Sequence, residues 1–262
     1  MASQAPNMLP LLYNALEPLN RNAHGNYKIG RVEGLKPAAS IHAIPVTVDE
    51  FSLAQRHFPI VFSSGDNPIP IVLMGLHEGT NTFFDKDGKL IDKGVYVPAY
   101  LRRYPFVLAR LRDDSDELSL CFDPTAEAIG EDVDGEPLFT GDEPSEATKA
   151  ILQFCEQFEQ AGQRTQAFLN ELKASELLMD GEVAIQPEGS EQPFIYRGFQ
   201  MVDEEKFRNL RGDELRKLNQ NGMLALIMAH LFSLAMIREV FGRQVAQGTG
   251  PVPAPEPVAA EA

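Results

Sequence analysis

Apolar residues in the first half of the chain fall in short runs, many of them β-branched. Ile41-His42-Ala43-Ile44-Pro45-Val46-Thr47-Val48 reads as a strand that leads into Asp49, which is placed to cap a helix over 50–57. Pro59-Ile60-Val61-Phe62-Ser63 is a short apolar run of the kind a buried strand shows. Asp66-Asn67-Pro68 then turns the chain into a second such run, 69–76. Segments 81–84 and 89–91 flank Asp87-Gly88, a two-residue hairpin signal. Further strands are expected over 106–111 and 117–122.

The period changes in the second half. Ile151, Leu152, Cys155, Phe158, Phe168, Leu169 and Leu172 recur at nearly helical intervals, which predicts an amphipathic helix over 146–178, with Gly162 as the point where it would break. Segment 194–202 returns to strand. Asp203 and Asp213 are placed to cap short helices through Leu210 and Leu218. Residues 222–241 are apolar on nearly all faces, the mark of a buried helix or of a contact between copies in a homo-oligomer. Strands first and helices afterwards argue for an α+β fold: a mainly antiparallel sheet from the N-terminal half, packed with helices from the C-terminal half. One domain over 1–247 is expected, followed by a Pro/Ala-rich tail over 248–262.

Charge narrows the partners. The 262 residues carry 23 Lys plus Arg against 38 Asp plus Glu, a net charge of −15. Nucleic acid is a poor general partner for such a chain, because phosphates are held by surplus cations. From Asp113 to Glu146 there are 13 acidic residues and no Lys or Arg, so this Gly/Pro-rich stretch is expected to be a solvated surface excursion. Residues 1–10 have neither positive charge nor a long apolar run, which predicts no secretory leader and a cytoplasmic location. Export without an N-terminal signal, to the cell surface, is the alternative. The apolar stretch from Gly222 to Ile237 is 16 residues long and contains His230, short for a bilayer span, so no transmembrane segment is expected.

Strong chemical signatures are absent. Asp132-Val133-Asp134-Gly135 and Asp85-Lys86-Asp87-Gly88 resemble pieces of a calcium loop but lack its outer ligands. His77-Glu78 has no second zinc histidine, and two cysteines, Cys121 and Cys155, with five histidines form no zinc spacing. No metal is therefore expected, and the sequence names no cofactor. No phosphate-binding glycine loop or nucleophile elbow is found.

The most distinctive segment is Tyr96-Val97-Pro98-Ala99-Tyr100-Leu101-Arg102-Arg103-Tyr104-Pro105-Phe106. Pro98 suits the first position of a short helical turn and Pro105 its end. Tyr96, Tyr100 and Tyr104 recur every four residues, so at least the last two share a face. Arg102 and Arg103 beside phenols suit an anionic ligand. The plainer alternative has the tyrosines packing at a corner and the arginines pairing with the acidic stretch. His57 sits at a helix-to-strand junction, where a histidine also simply complements a helix dipole. Asp123-Pro124 most simply begins a turn. His230 suits a hydrogen-bonded core histidine, with a base or ligand as its alternative.

At these residues the chain resembles the SapC family of bacterial proteins. The likeness rests on His57-Phe58-Pro59-Ile60-Val61-Phe62, on the Tyr96–Phe106 segment and on Leu120-Cys121-Phe122-Asp123. It continues in Gly198-Phe199, Val202-Asp203-Glu204-Glu205-Lys206 and Ala229-His230-Leu231-Phe232-Ser233-Leu234. The resemblance implies an association with bacterial surface layers, and with neighbouring genes for TonB-dependent receptors, tryptophan-halogenase-like flavoproteins and cupin-like proteins. It carries no catalytic residues. The expectation is a non-catalytic accessory or binding protein, linked to cell-surface assembly or nutrient uptake, that takes a protein partner or a small anionic ligand. Two alternatives stand beside it. One is an enzyme, or the dedicated partner of a halogenase-like or cupin-like oxygenase, with His57, Tyr100, Arg102 and Asp123 around one cleft. The other is a structural surface-layer subunit.

Overall fold

The structure, a computed structural model, describes residues 9–31, 34–111, 117–186 and 193–250. In chain order, β1 (Glu17–Pro18), helix α1 (Arg21–His24) and β2 (Lys28–Gly30) come first. Strand β3 (Ala43–Pro45) and the one-turn helix α2 (Phe51–Ala54) precede the antiparallel pair β4 (Ile60–Ser63) and β5 (Pro70–Leu73). Helix α3 (Ala99–Arg102) leads into β6 (Phe106–Arg110) and β7 (Leu118–Phe122). Four short strands follow: β8 (Ile129–Gly130), β9 (Gly135–Pro137), β10 (Phe139–Thr140) and β11 (Glu143–Pro144). Helix α4 (Glu146–Ala174) then spans 29 residues. The chain continues through β12 (Leu178–Ile185), β13 (Phe194–Val202), α5 (Glu204–Arg208), α6 (Gly212–Gln220), α7 (Met223–Ser233) and α8 (Met236–Ala246).

This is an α+β mix in which every named strand pair is antiparallel. The largest sheet has the order β12-β13-β4-β5-β3, so the two longest strands come from the C-terminal half and extend the N-terminal sheet. Phe51, Phe58, Phe62, Ile44 and Leu73 bury against it, with Phe168 and Leu172 of α4 and Ile227 of α7. Two smaller sheets, β1-β7-β6 and β8-β2-β9, enclose a second core of Phe106, Phe122, Ile129, Leu138 and Cys155.

Several sequence expectations are corrected in detail. The acidic stretch is a surface excursion only in part. Its described acids other than Asp123 are exposed, as expected, but it also contributes β7 to β11 and buries Asp123, Ala126, Ile129 and Leu138, the last three against apolar neighbours. Residues 113–116 lie outside the described residues. Helix α4 runs through Gly162 unbroken, capped by the Ser145 side chain, since one glycine costs about 1 kcal/mol against a helix with a continuous buried stripe. Leu178 opens β12 rather than closing that helix. The strand expected over 41–48 shrinks to β3, and Thr47 rather than Asp49 caps the turn that follows. The tail residues beyond 250 lie outside the described residues.

The apolar stretch 222–241 forms two helices joined at Leu234–Ala235. Together they cover Met223–Ala246, 24 residues that are long and apolar enough to cross a bilayer by length and composition alone. Their inner stripe carries His230, Ser233 and Gln244, all fully buried. His230 Nδ1 lies 2.7 Å from the Ile60 carbonyl and its Nε2 accepts the Val202 N–H at 3.0 Å. The ring is thus a neutral imidazole with its proton on Nδ1, tying α7 to both β4 and β13. Ser233 Oγ accepts the Ile60 N–H at 2.9 Å. Of the two readings for His230, the geometry is that of a hydrogen-bonded core histidine.

Candidate functional site

The Tyr/Arg corner is held by a carboxylate from another part of the chain. Thr47-x-x-Glu50 is a capping box: Glu50 Oε2 accepts from the Thr47 N–H at 2.9 Å and from its hydroxyl at 3.0 Å. Glu50 Oε1 accepts from the Ala99 N–H at 2.6 Å and the Tyr96 phenol at 2.9 Å. Pro98 precedes α3 as its N-cap, one position earlier than expected, and has no hydroxyl or carboxylate with which to cap it. Buried Glu50 does so instead.

From this anchor the side chains of Arg102, Arg103, Tyr100 and Tyr104 diverge. Arg102 is exposed; its Nε donates to the Val97 carbonyl at 3.0 Å and its Nη2 to the Tyr96 oxygen at 3.2 Å, while its guanidinium sits 5.2 Å from the Phe154 ring centre. Arg103 is buried between two rings, 4.5 Å from the centre of Tyr100 and 4.3 Å from that of Phe158. Its Nη1 lies 3.6 Å from Glu159 on α4, and its buried Nε has no hydrogen-bond partner. Among the described residues neither arginine pairs with the acidic stretch. Tyr100 donates to the Leu11 carbonyl at 2.9 Å, and Tyr104 meets Tyr13 edge-on at 5.2 Å, so both phenols face the N-terminal segment as their spacing predicts.

The phenols are fixed as neutral donors. Burial, and next the Glu50 charge, push Tyr96 up to about 12. Burial and then Asp123 push Tyr104 up to about 12. Burial raises the Cys155 thiol to about 11, which keeps it protonated and unreactive. Asp123 is wholly buried and accepts from the Asn14 N–H at 2.7 Å and from Thr125, N–H at 2.9 Å and hydroxyl at 2.7 Å. It ties the N-terminal segment to the loop after β7, more than the simple turn that Asp123-Pro124 suggests.

Beside the corner lies a cleft of about 950 Å³, within the range of small-molecule sites. The corner from Leu101 to Phe106 forms one wall, and Ala150, Ile151, Phe154 and Cys155 of α4 another. The Gly34–Pro37 segment, the Gly88–Leu90 turn and the Thr125–Ala128 loop complete it. The turn is locked to its neighbour by the Leu35 N–H, which donates to the Gly88 carbonyl at 2.8 Å. Gly88 has φ +76, and a Cβ there would lie 2.1 Å from the Leu35 carbonyl carbon, so only glycine lets the two segments touch.

Arg102, Arg103 and Tyr104 line this cleft. Tyr96, Tyr100 and Asp123 lie one contact behind it, through Arg102, Arg103 and Tyr104 respectively. His57 is not among the lining residues; it sits half-buried after α2 with its ring 6.1 Å from Phe58, and burial lowers its pKa. Of the four side chains that a catalytic reading places around one opening, only Arg102 reaches it. Glu50 was missed, although the Thr47-x-x-Glu50 spacing is visible in the sequence. Lys36, Lys89 and Phe154 also line the cleft, and nothing local in the sequence assigns them to it.

Among the described residues no group of His, Cys, Asp and Glu is arranged to hold a metal ion.

A family model for SapC matches residues 19–240, which contain the corner, α4 and most of the cleft walls. The chain belongs to the SapC family. No curated protein and no solved structure matches it.

Proposed function

We propose that this SapC-family chain is a non-catalytic accessory protein that binds a small anionic ligand in the cleft beside the Tyr96–Pro105 corner. In this reading the ligand, or a protein partner that receives it, links the chain to cell-surface assembly or nutrient uptake. The observation that carries the reading is the cleft itself: about 950 Å³, walled by buried apolar side chains, with two arginines of the most distinctive sequence segment on its surface. The Glu50 anchor supports the reading further, because it holds the corner rigidly and lowers the ordering cost of binding.

Untargeted mass spectrometry of small molecules retained by the natively purified protein tests this. Ala150→Trp is the control, since Ala150 is exposed on α4 and lines the cleft, so an indole there fills the opening at little cost to the fold. An anionic molecule retained by the wild type and lost in the variant supports the proposal. Retention unchanged by the variant refutes the cleft as the site.

A further inference from the structure

The cleft has a polarity of its own. Its floor is buried and apolar: Phe84, Leu101, Phe106, Ala126, Ala128 and Cys155 are all at most 8% exposed. Its exposed rim is cationic. Lys36, Lys89 and Arg102 are exposed lining residues, and Arg103 lines the cleft from a buried position with Glu159 3.6 Å from its Nη1. Glu127 is the one acid among the described residues that line it. Among the described lining residues cations thus outnumber acids, in a chain whose net charge is −15. Glu127 also holds one of those cations, since Lys36 Nζ lies 2.9 Å from its Oε1 and both side chains are largely exposed.

Resting on the reading of this cleft as a ligand site, we infer that its ligand is an amphipathic carboxylic acid. The apolar body lies on the buried floor and the carboxylate sits at the rim between Lys36 and Arg102. A small inorganic anion leaves the apolar floor wet, and a neutral apolar molecule leaves the rim cations without use; only a molecule with both parts matches both surfaces. The rim also carries its own competitor. A carboxylate that takes Lys36 displaces the carboxylate of Glu127, which is the same chemical group in the same place. Glu127 therefore acts as an internal stand-in for the ligand head and weakens binding by occupying Lys36.

Isothermal titration calorimetry with sodium octanoate, 1-octanol and inorganic phosphate tests the inference on the full chain. Octanoate is expected to bind at one site, with octanol and phosphate each about tenfold weaker or more. Lys36→Gln, an exposed position, weakens octanoate about threefold to fivefold, the scale of one exposed charge pair, and leaves octanol unchanged. Glu127→Gln tightens octanoate by a similar factor. Arg102→Gln repeats the first result if its fold is intact by circular dichroism, and Lys36→Gln decides the matter if it is not. Octanol as tight as octanoate overturns the inference while leaving a ligand-binding cleft. Phosphate as tight as octanoate overturns it in favour of a simple anion site. Glu127→Gln without effect, or with weaker binding, overturns the stand-in role. No octanoate binding by a protein that retains another molecule overturns the ligand class alone, and no retention and no binding overturns the cleft reading with it.

Discussion

The Glu50 carboxylate accepts the backbone N–H of Ala99 at 2.6 Å, 49 residues along the chain, and so caps the one-turn helix whose C-terminal end presents both arginines. The same carboxylate closes its own capping box on Thr47. One buried charge thus joins the edge of the main sheet to the wall of the cleft.

Replacing that charge should loosen both. Glu50→Gln keeps the shape but turns an acceptor oxygen into a donor that faces N–H groups. A loss of about 2–3 kcal/mol is expected in urea denaturation, the scale for a buried hydrogen-bonded charge left mismatched. Tyr96→Phe removes one of the four bonds and should cost about 1 kcal/mol.

Arg103 should behave in the opposite way. Its Nε is buried without a partner, and its nearest carboxylate oxygen is 3.6 Å away. Arg103→Met keeps the packing between Tyr100 and Phe158 and removes the desolvated charge, so stability should stay within about 1 kcal/mol of wild type. Ligand retention should fall nonetheless. A stability loss well beyond 2 kcal/mol would mark Arg103 as a structural residue first.

His230 gives the fold a defined acid limit. Burial holds its imidazole down to about 4, from an ordinary value of 6.5. Between those values the unfolded chain binds a proton that the native chain refuses, so stability rises with pH in that window. The contribution is complete above about pH 6.5 and is lost as pH falls toward 4. The slope cannot exceed about 1.4 kcal/mol per pH unit, and the total is of the order of 3 kcal/mol. Urea titrations at pH 7, 6, 5 and 4.5 should show this decline, and His230→Gln should flatten it.

Gly88→Ala should damage the cleft wall from the outside. The substitution meets both a positive φ and the Leu35 carbonyl, so a loss of about 1–3 kcal/mol is expected together with weaker ligand retention.

Much of this was legible in the chain. The α+β character followed from the switch of apolar period near residue 146, and the Tyr96–Phe106 segment was visible as the corner it forms. The capping box at Thr47 was also written in the sequence, but its second role was not. That role depends on Ala99 lying 49 residues away, and no local pattern encodes such a meeting. The acidic stretch misled for a similar reason. Its charge density is that of a solvated loop, yet Leu138 and Ile129 are enough to fold it around a small core. Lys36 and Lys89 joined the cleft only because two glycines, Gly34 and Gly88, let their segments touch.

The chain contains no tryptophan, so one introduced indole reports from a single place. Phe154→Trp puts it on the cleft wall, and Phe232→Trp puts it on α7, at the most exposed large apolar side chain among the described residues. Energy transfer from each indole to bound 8-anilinonaphthalene-1-sulfonate, an amphipathic anion, locates the bound probe. The account predicts strong, saturable transfer from position 154 and weak transfer from position 232. Stronger transfer from position 232, or none from position 154, would contradict it.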